Sequence, residues 1–228
     1  MFSKRLEMIA SCIENGIGII DVGTDHGYIP AMMVQRWYAG NIYASDINEM
    51  PLEACKRNLE ENGAADRISF LLCDGLDACP PDMIDTIVIA GMGGDTIAGI
   101  LDRAEWCLDS RYKLILQPMT KSEVLRYWLS YNGFAITDER LIKDNGKLYQ
   151  LLCSRYDGQS HPMTDCELFT GKLGLIKSEP EFTEFIELQK RRFIGSIDGL
   201  RRSGDENLRS RLAIYENICK ELDNYDSK

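Results

Sequence analysis

The chain has 228 residues, room for one large domain or for a domain of about 150 residues with an appendage. Its 44% hydrophobic and 27% charged residues fit an ordinary globular protein. No apolar run reaches the roughly 18 residues of a membrane span. The net charge of −10 argues against bulk electrostatic binding of nucleic acid, although residues 186–215 carry seven basic against four acidic side chains.

The opening MFSKRLEMIASC lacks the apolar core and cleavage site of a secretory signal, so a cytoplasmic location is expected. The eight cysteines form no Cys-x-x-Cys pair and there are two histidines, His26 and His161. No metal site is therefore expected, and the thiols read as reduced, small hydrophobes.

Residues 3–15 predict an amphipathic helix, with Ser3 as its cap and Leu6, Ile9, Ala10 and Ile13 on one face. An apolar strand (Ile17, Ile19, Ile20) then enters Asp21-Val22-Gly23-Thr24-Asp25-His26-Gly27, followed by a helix over 28–38. Strands are expected at 41–44, 68–72, 85–90 and 113–116, with helices at 50–61, 95–103 and 121–131. Asn62-Gly63 reads as the stop of the first of these three helices. Asp85 to Ala90 is almost wholly apolar or β-branched, as a strand covered on both faces should be. Residues 134–142 and 147–155, joined across Asn145-Gly146, predict a hairpin. The result is a mostly parallel sheet with an antiparallel end.

Residues 156–163 read as a linker into a helical appendage. Pro180 suits the first turn of a helix over 180–201, lined by Phe182, Phe185, Ile186, Phe193, Ile197 and Leu200. Ser203-Gly204-Asp205 breaks the chain. A second helix over 205–223 places Leu208, Leu212, Tyr215, Cys219 and Leu222 on a seam of coiled-coil type. That seam could close on the preceding helix or on another chain, leaving monomer and weak dimer both open.

Candidate chemistry lies in the loops after the parallel strands. Asp21 and Asp46 are 25 residues apart, close to the separation in dinucleotide-binding folds, where a second acidic group takes the ribose hydroxyls. Asp74, followed by Gly75, could accept from an adenine amino group. Asp21 and Asp25 would repel a pyrophosphate but tolerate an α-amino group beside a sulfonium centre. The loop therefore favours S-adenosylmethionine over NAD, although both acids could simply cap a turn.

The stretches Asp21-Val22-Gly23-Thr24-Asp25-His26-Gly27-Tyr28-Ile29-Pro30, Asp74-Gly75-Leu76, Ile89-Ala90-Gly91-Met92-Gly93-Gly94, Leu114-Ile115-Leu116-Gln117-Pro118 and Leu125-Arg126-Tyr127-Trp128-Leu129 together resemble the bacterial TrmK family of tRNA (adenine-22-N1)-methyltransferases. Ser3-Lys4-Arg5-Leu6 and the turn Asp144-Asn145-Gly146-Lys147-Leu148-Tyr149 resemble it too. Gly27 stands where the family often has alanine, an exchange expected to be neutral. Asp46 is followed by Ile47-Asn48-Glu49 rather than a valine-rich run.

The resemblance implies an α/β fold: a Rossmann-like class I methyltransferase sheet over 1–158 and a helical coiled-coil hairpin over 159–228. It implies S-adenosylmethionine, held by Asp21, Gly23, Thr24, Asp25, Gly27, Asp46, Ile47, Asp74, Gly75, Ala90 and Gly91. It also implies methylation of tRNA. Adenine would lie on the Gly91–Gly94 loop, with Gly93 and Gly94 against it. His26, Tyr28 and Met92 are the catalytic candidates. His26 could orient the base or take a late proton, and could equally be a cap of the helix start; Met92 could equally be packing. Phosphates would be met by Lys4, Arg5, Lys190, Arg191, Arg192, Arg201 and Arg202, although such a run can be a solvated helix face. Methylation of another RNA position or a small molecule, and a non-catalytic cofactor-binding scaffold, are the competing readings.

Overall fold

The computed structural model describes residues 2–61, 63–203 and 206–226. The expected helix stop at Asn62 and break at Gly204-Asp205 lie outside the described residues. The chain divides into two units, Met1–Pro162 and Met163–Lys228.

Among the described residues, the first unit is built on seven strands: β1 (Gly18–Val22), β2 (Asn41–Asp46), β3 (Ser69–Leu72), β4 (Thr86–Gly93), β5 (Lys113–Thr120), β6 (Phe134–Asp144) and β7 (Lys147–Tyr156). Their order across the sheet is β3-β2-β1-β4-β5-β7-β6. The first five in that order are parallel, and β7 runs antiparallel to both its neighbours. After β1 the chain moves outward through β2 to β3, then returns to lay β4 on the other side of β1. That reversal opens a crevice at the carboxyl ends of β1 and β4, where open α/β sheets take ligands. All of β1 and the first half of β4 are buried, which explains their unbroken apolar character.

Helices α1 (Lys4–Ser11), α2 (Tyr28–Gln35), α3 (Glu49–Glu61), α4 (Gly94–Arg103) and α5 (Ser122–Tyr131) accompany the sheet. Ser3 caps α1 by accepting from the Leu6 amide. Val88, Ile115 and Cys153 lie in register across β4, β5 and β7. They share one core with Ile9 and Cys12 at the first helix and with residues of α2 and α3. Strand alternation sets Ala90 and Gln117 on this same face, two residues nearer the crevice. The hairpin turn has φ of 47° at Asn145 and 76° at Gly146, the paired positive values of a type I′ turn.

Several elements depart from the sequence expectations, α1 among them, which ends at Ser11 and not at residue 15. Helix α2 stops at Gln35 instead of Tyr38, because Trp37 takes a left-handed φ of 57° and the Tyr38 amide turns back to the Met33 carbonyl. Strands β4 and β5 run on past Ala90 and Leu116. Met92 pairs with Pro118 and Gly93 with Thr120, with register shifts on either side of Met92. The Gly91–Gly93 stretch is thus an irregular strand extension, not a free loop. Pro180 precedes its helix instead of starting it.

The second unit holds α6 (Asp165–Thr170), α7 (Leu173–Ile176), α8 (Phe182–Ser203) and α9 (Arg209–Asp226). The long helices α8 and α9 pack together. Their buried faces are Phe182, Phe185, Ile186, Phe193 and Ile197 against Tyr215, Ile218 and Leu222. Ile218, absent from the expected seam, is fully buried, while Leu212 and Cys219 are half-exposed. Lys190–Asp223 at 2.7 Å and Arg201–Glu216 at 2.6 Å bridge the two helices. Helix α6, not foreseen, has a complete capping box between Thr164 and Glu167. It sends Phe169 edge-on against Phe193 and Tyr215, each 5.7 Å away.

Candidate active site at the carboxyl ends of the parallel strands

The loop from β1 to α2 is anchored by its backbone. The Gly23 and Thr24 amides both donate to the Ser45 carbonyl at the end of β2, at 2.8 and 3.0 Å. Asp21 is 5% exposed and accepts a 2.7 Å hydrogen bond from the Thr24 hydroxyl. Burial pushes its carboxyl up to about 7, opposed by the Thr24 hydrogen bond and by the Arg5 charge. The expected fixed negative charge at the front of this loop is therefore a carboxyl poised near neutrality.

Asp25 and His26 stand out into solvent, their side chains 74% and 55% exposed and 3.7 Å apart. The His26 ring lies 5.5 Å from that of Tyr28, which meets Phe2 edge-on at 6.1 Å. Gly27 is not neutral here. Its φ is 70°, and a Cβ would sit 2.5 Å from the Cys55 sulfur of α3, so alanine would be strained and crowded.

Asp46 ends β2 half-buried, with its carboxylate accepting from the Asn48 amide at 2.9 Å. Ile47 beside it is 60% exposed, an apolar side chain at the rim. Asp74 sits after β3 in an ion pair with Arg103 of α4 at 2.8 Å. The Gly75 carbonyl accepts from the Ser45 hydroxyl at 3.4 Å. The first three strands thus bring Asp21, Asp46 and Asp74 to one edge of the sheet, with the Asp74 carboxylate shared by a guanidinium.

Across the crevice, Ala90 is half-buried and Gly91 is exposed with a φ of 82°. A Cβ on Gly91 would meet nothing within 4 Å, so open space begins there. Met92 reaches back over the crevice. A Cβ on Gly23 would lie 2.2 Å from its terminal methyl. Gly93 precedes α4, and Gly94 lets the helix start press against the Lys121 carbonyl.

Two further residues complete the rim. Gln117 lies near the site end of the buried part of β5 and is itself fully buried. Its Oε1 accepts from Arg5 at 2.8 Å, and its Nε2 donates to the Pro118 carbonyl at 3.1 Å. The Arg5 guanidinium also lies over the Tyr149 ring, 5.5 Å from its centroid. Arg5, expected to meet phosphate, instead points into the site from α1.

Residues 2–152 match the methyltransferase-domain family. The chain is also 36% identical over 165 residues to the Bacillus subtilis tRNA (adenine(22)-N(1))-methyltransferase, spanning 69% of each protein. The chain belongs to the tRNA (adenine-22-N1)-methyltransferase family. Its fold is similar to that of the B. subtilis tRNA methyltransferase TrmK. There the TM-score is 0.85 at 26% identity, covering 99% of this chain and 98% of that one. A Streptococcus pneumoniae protein solved in complex with S-adenosyl-L-methionine superposes with a TM-score of 0.79 at 28% identity, covering 99% of both.

Within this family member, the basic candidates of the second unit divide. Lys190 and Arg201 are engaged in the ion pairs between α8 and α9. Arg202 donates to the Asp198 carbonyl of its own helix. Arg191 and Arg192 are exposed, as is Lys4 on α1. Gln117 escaped the sequence reading as a site residue, although it is a polar side chain closing an apolar strand at the site end. The inward turn of Arg5 left no sequence signal, since a cation on an amphipathic helix reads as surface.

Proposed function

We infer that this protein transfers a methyl group from S-adenosylmethionine to N1 of adenine 22 in tRNA. The observation that carries the reading is the buried Asp21–Thr24 pair at the switch point, with open space at Gly91 on the neighbouring strand β4. That arrangement, with the family membership, supports a site for an amino-acid-bearing nucleoside beside room for a flat base.

The residues present fit this cofactor. Asp21, Gly23, Thr24, Asp25 and Gly27 form the end that takes the amino acid, and an α-ammonium group suits a carboxyl poised between its two states. Asp46 takes the ribose diol, with Ile47 as an apolar wall. Asp74 and Gly75 bound the adenine end, and Ala90 and Gly91 line the front. When bound, the cofactor supplies an electrophilic methyl group.

The protein's task is then chiefly positioning. Adenine N1 has an in-plane lone pair, so no base need remove a proton before attack. The chain must hold N1 in line with the methyl, about 3–3.5 Å from it, after taking the base from its stack. Gly91 and Gly93 let the base lie close to the backbone, and Met92 offers an adaptable apolar contact. Methylation leaves the ring cationic. His26, with its ring exposed beside Tyr28, then accepts a proton released from the exocyclic nitrogen. Lys4, Arg191, Arg192 and Arg202 meet tRNA phosphates.

The test is nucleoside mass spectrometry of tRNA incubated with the protein and S-adenosylmethionine. Formation of 1-methyladenosine supports the reading. Cofactor binding without any methylated nucleoside would reduce the protein to a non-catalytic binder, and a different methylated nucleoside would move its target.

A further inference from the structure

A second chemical cluster lies away from the crevice, where α1 ends. Cys12 caps that helix, and Cys153 lies on β7; both residues are 3% exposed and share the apolar core. Their sulfurs and a carboxylate oxygen of Asp138 all lie within 4.8 Å of one another. Cys153 is in register with Ile115 on β5, Ile115 with Val88 on β4, and Val88 with Asp21. At about 4.8 Å per strand, the cluster stands roughly 14 Å from the site.

A β-bulge builds the cluster. Ile136 pairs with Ser154 and Asp138 with Cys153, so Thr137 is the extra residue. Its hydroxyl donates to the Cys153 carbonyl at 3.2 Å. Without the bulge, Thr137 would face Cys153 and Asp138 would point to the other side of the sheet. Asp138 in turn accepts from Arg140 at 2.8 Å, and Arg140 donates to Ser11 of α1 at 3.3 Å.

These groups polarise the thiol pair. The neighbouring Cys153 thiol and the Arg140 charge pull the Cys12 thiol down, against its burial and the Asp138 charge. Cys153 is pushed up by its Cys12 neighbour and by burial. Burial pushes Cys55, Cys79, Cys107 and Cys166 the opposite way from Cys12, to about 11, 12, 12 and 11. A metal ion fits poorly, because the cluster offers two sulfurs and one carboxylate already bound to a guanidinium, whereas a closed zinc site wants four ligands.

We propose that Cys12 and Cys153 are a redox-reactive dithiol that closes to a disulfide when the protein meets a peroxide. The Cys12 thiolate attacks one peroxide oxygen; the O–O bond breaks and hydroxide leaves, giving a sulfenic acid. The Cys153 sulfur then attacks the Cys12 sulfur. The S–O bond breaks, and the departing hydroxyl takes the Cys153 proton as water. Two thiols are oxidised by two electrons, and hydrogen peroxide becomes two waters, the released hydroxide taking up the proton that the Cys12 thiol had shed. Opening of the short first helix exposes the pair to so small an oxidant. The product staples the end of α1 to β7, and that helix also carries Arg5 into the active site.

The test is mild hydrogen peroxide treatment of the full chain, quenching by alkylation, and peptide mass mapping. A Cys12–Cys153 linked peptide is expected before modification of the half-exposed Cys73 and Cys219, with reversal by dithiothreitol and a higher Tm for the oxidised protein. In Cys153→Ser the link is lost and Cys12 is captured by dimedone. Should that variant not fold, the wild-type map alone decides. Cys12 and Cys153 left reduced while Cys73 and Cys219 oxidise would overturn the proposal, as would stoichiometric zinc released from the purified protein by chelation.

Discussion

Replacing Asp21 by Asn isolates the energetic cost of its burial. Its carboxyl is raised from 3.8 to about 7 in the folded protein. That difference, at about 1.4 kcal/mol per pH unit, makes ionising this residue in the folded protein cost roughly 4 kcal/mol. The folded state holds the proton more tightly than the unfolded one. The stability involved is therefore complete below pH 3.8 and is lost as pH rises to about 7. About 2.5 kcal/mol of the loss should fall between pH 5 and pH 8. Urea unfolding of wild type and Asp21→Asn at those two pH values subtracts the common titrations, leaving that difference. On the proposed reading the same carboxyl faces the cofactor ammonium and must be ionised to bind it. Calorimetry should show affinity for S-adenosylmethionine falling about 50-fold from pH 7 to pH 5. The Asn variant should bind weakly without this pH dependence. Thr24→Val and Arg5→Ala each remove an influence favouring the ionised form, so both should move the midpoint upward. Equal pH profiles for wild type and Asp21→Asn, in stability and in affinity, would refute the reasoning.

Other substitutions probe separate links. Gly23→Ala must adopt a φ of 69° and displace the Met92 methyl; a loss of about 1–2 kcal/mol is expected in thermal unfolding, with weaker cofactor binding by calorimetry. Arg126 and Glu139 form a fully buried ion pair at 3.0 Å. Arg126→Met should cost roughly 3–5 kcal/mol in denaturant unfolding, and adding Glu139→Leu should recover most of it. Joint Arg191→Ala, Arg192→Ala and Arg202→Ala should weaken tRNA binding, with the slope of log affinity against log salt falling by about one for each phosphate no longer neutralised. Lys190→Ala and Arg201→Ala should instead lower the thermal stability of the helical unit, because each removes an interhelical ion pair.

The parallel strands were legible because burial on both faces leaves no alternation to blur, as in Asp85 to Ala90. The loops after them were legible because acidic and glycine residues interrupt apolar runs. The place of β7 between β5 and β6 was not, since a hairpin signal says that two strands pair and not which joins the sheet. Gly91 and Gly93 read as loop because glycine marks both loops and bulges; the pairing of Met92 with Pro118 and of Gly93 with Thr120 shows which it is. The signal for α6 was present in Thr164-Asp165-Cys166-Glu167, but the helix after it is only six residues long. In α9 the heptad spacing favoured Cys219, whereas packing chose Ile218. Arg5 joins the candidate site only because folding brings it to Gln117, 112 positions away.

The central claim is most directly tested by methyl transfer to two tRNA transcripts, identical except that one has adenine 22 replaced by guanine. With labelled S-adenosylmethionine and wild-type protein, one 1-methyladenosine per molecule should form in the first transcript and none in the second. Equal methylation of both, or of neither, would contradict the account.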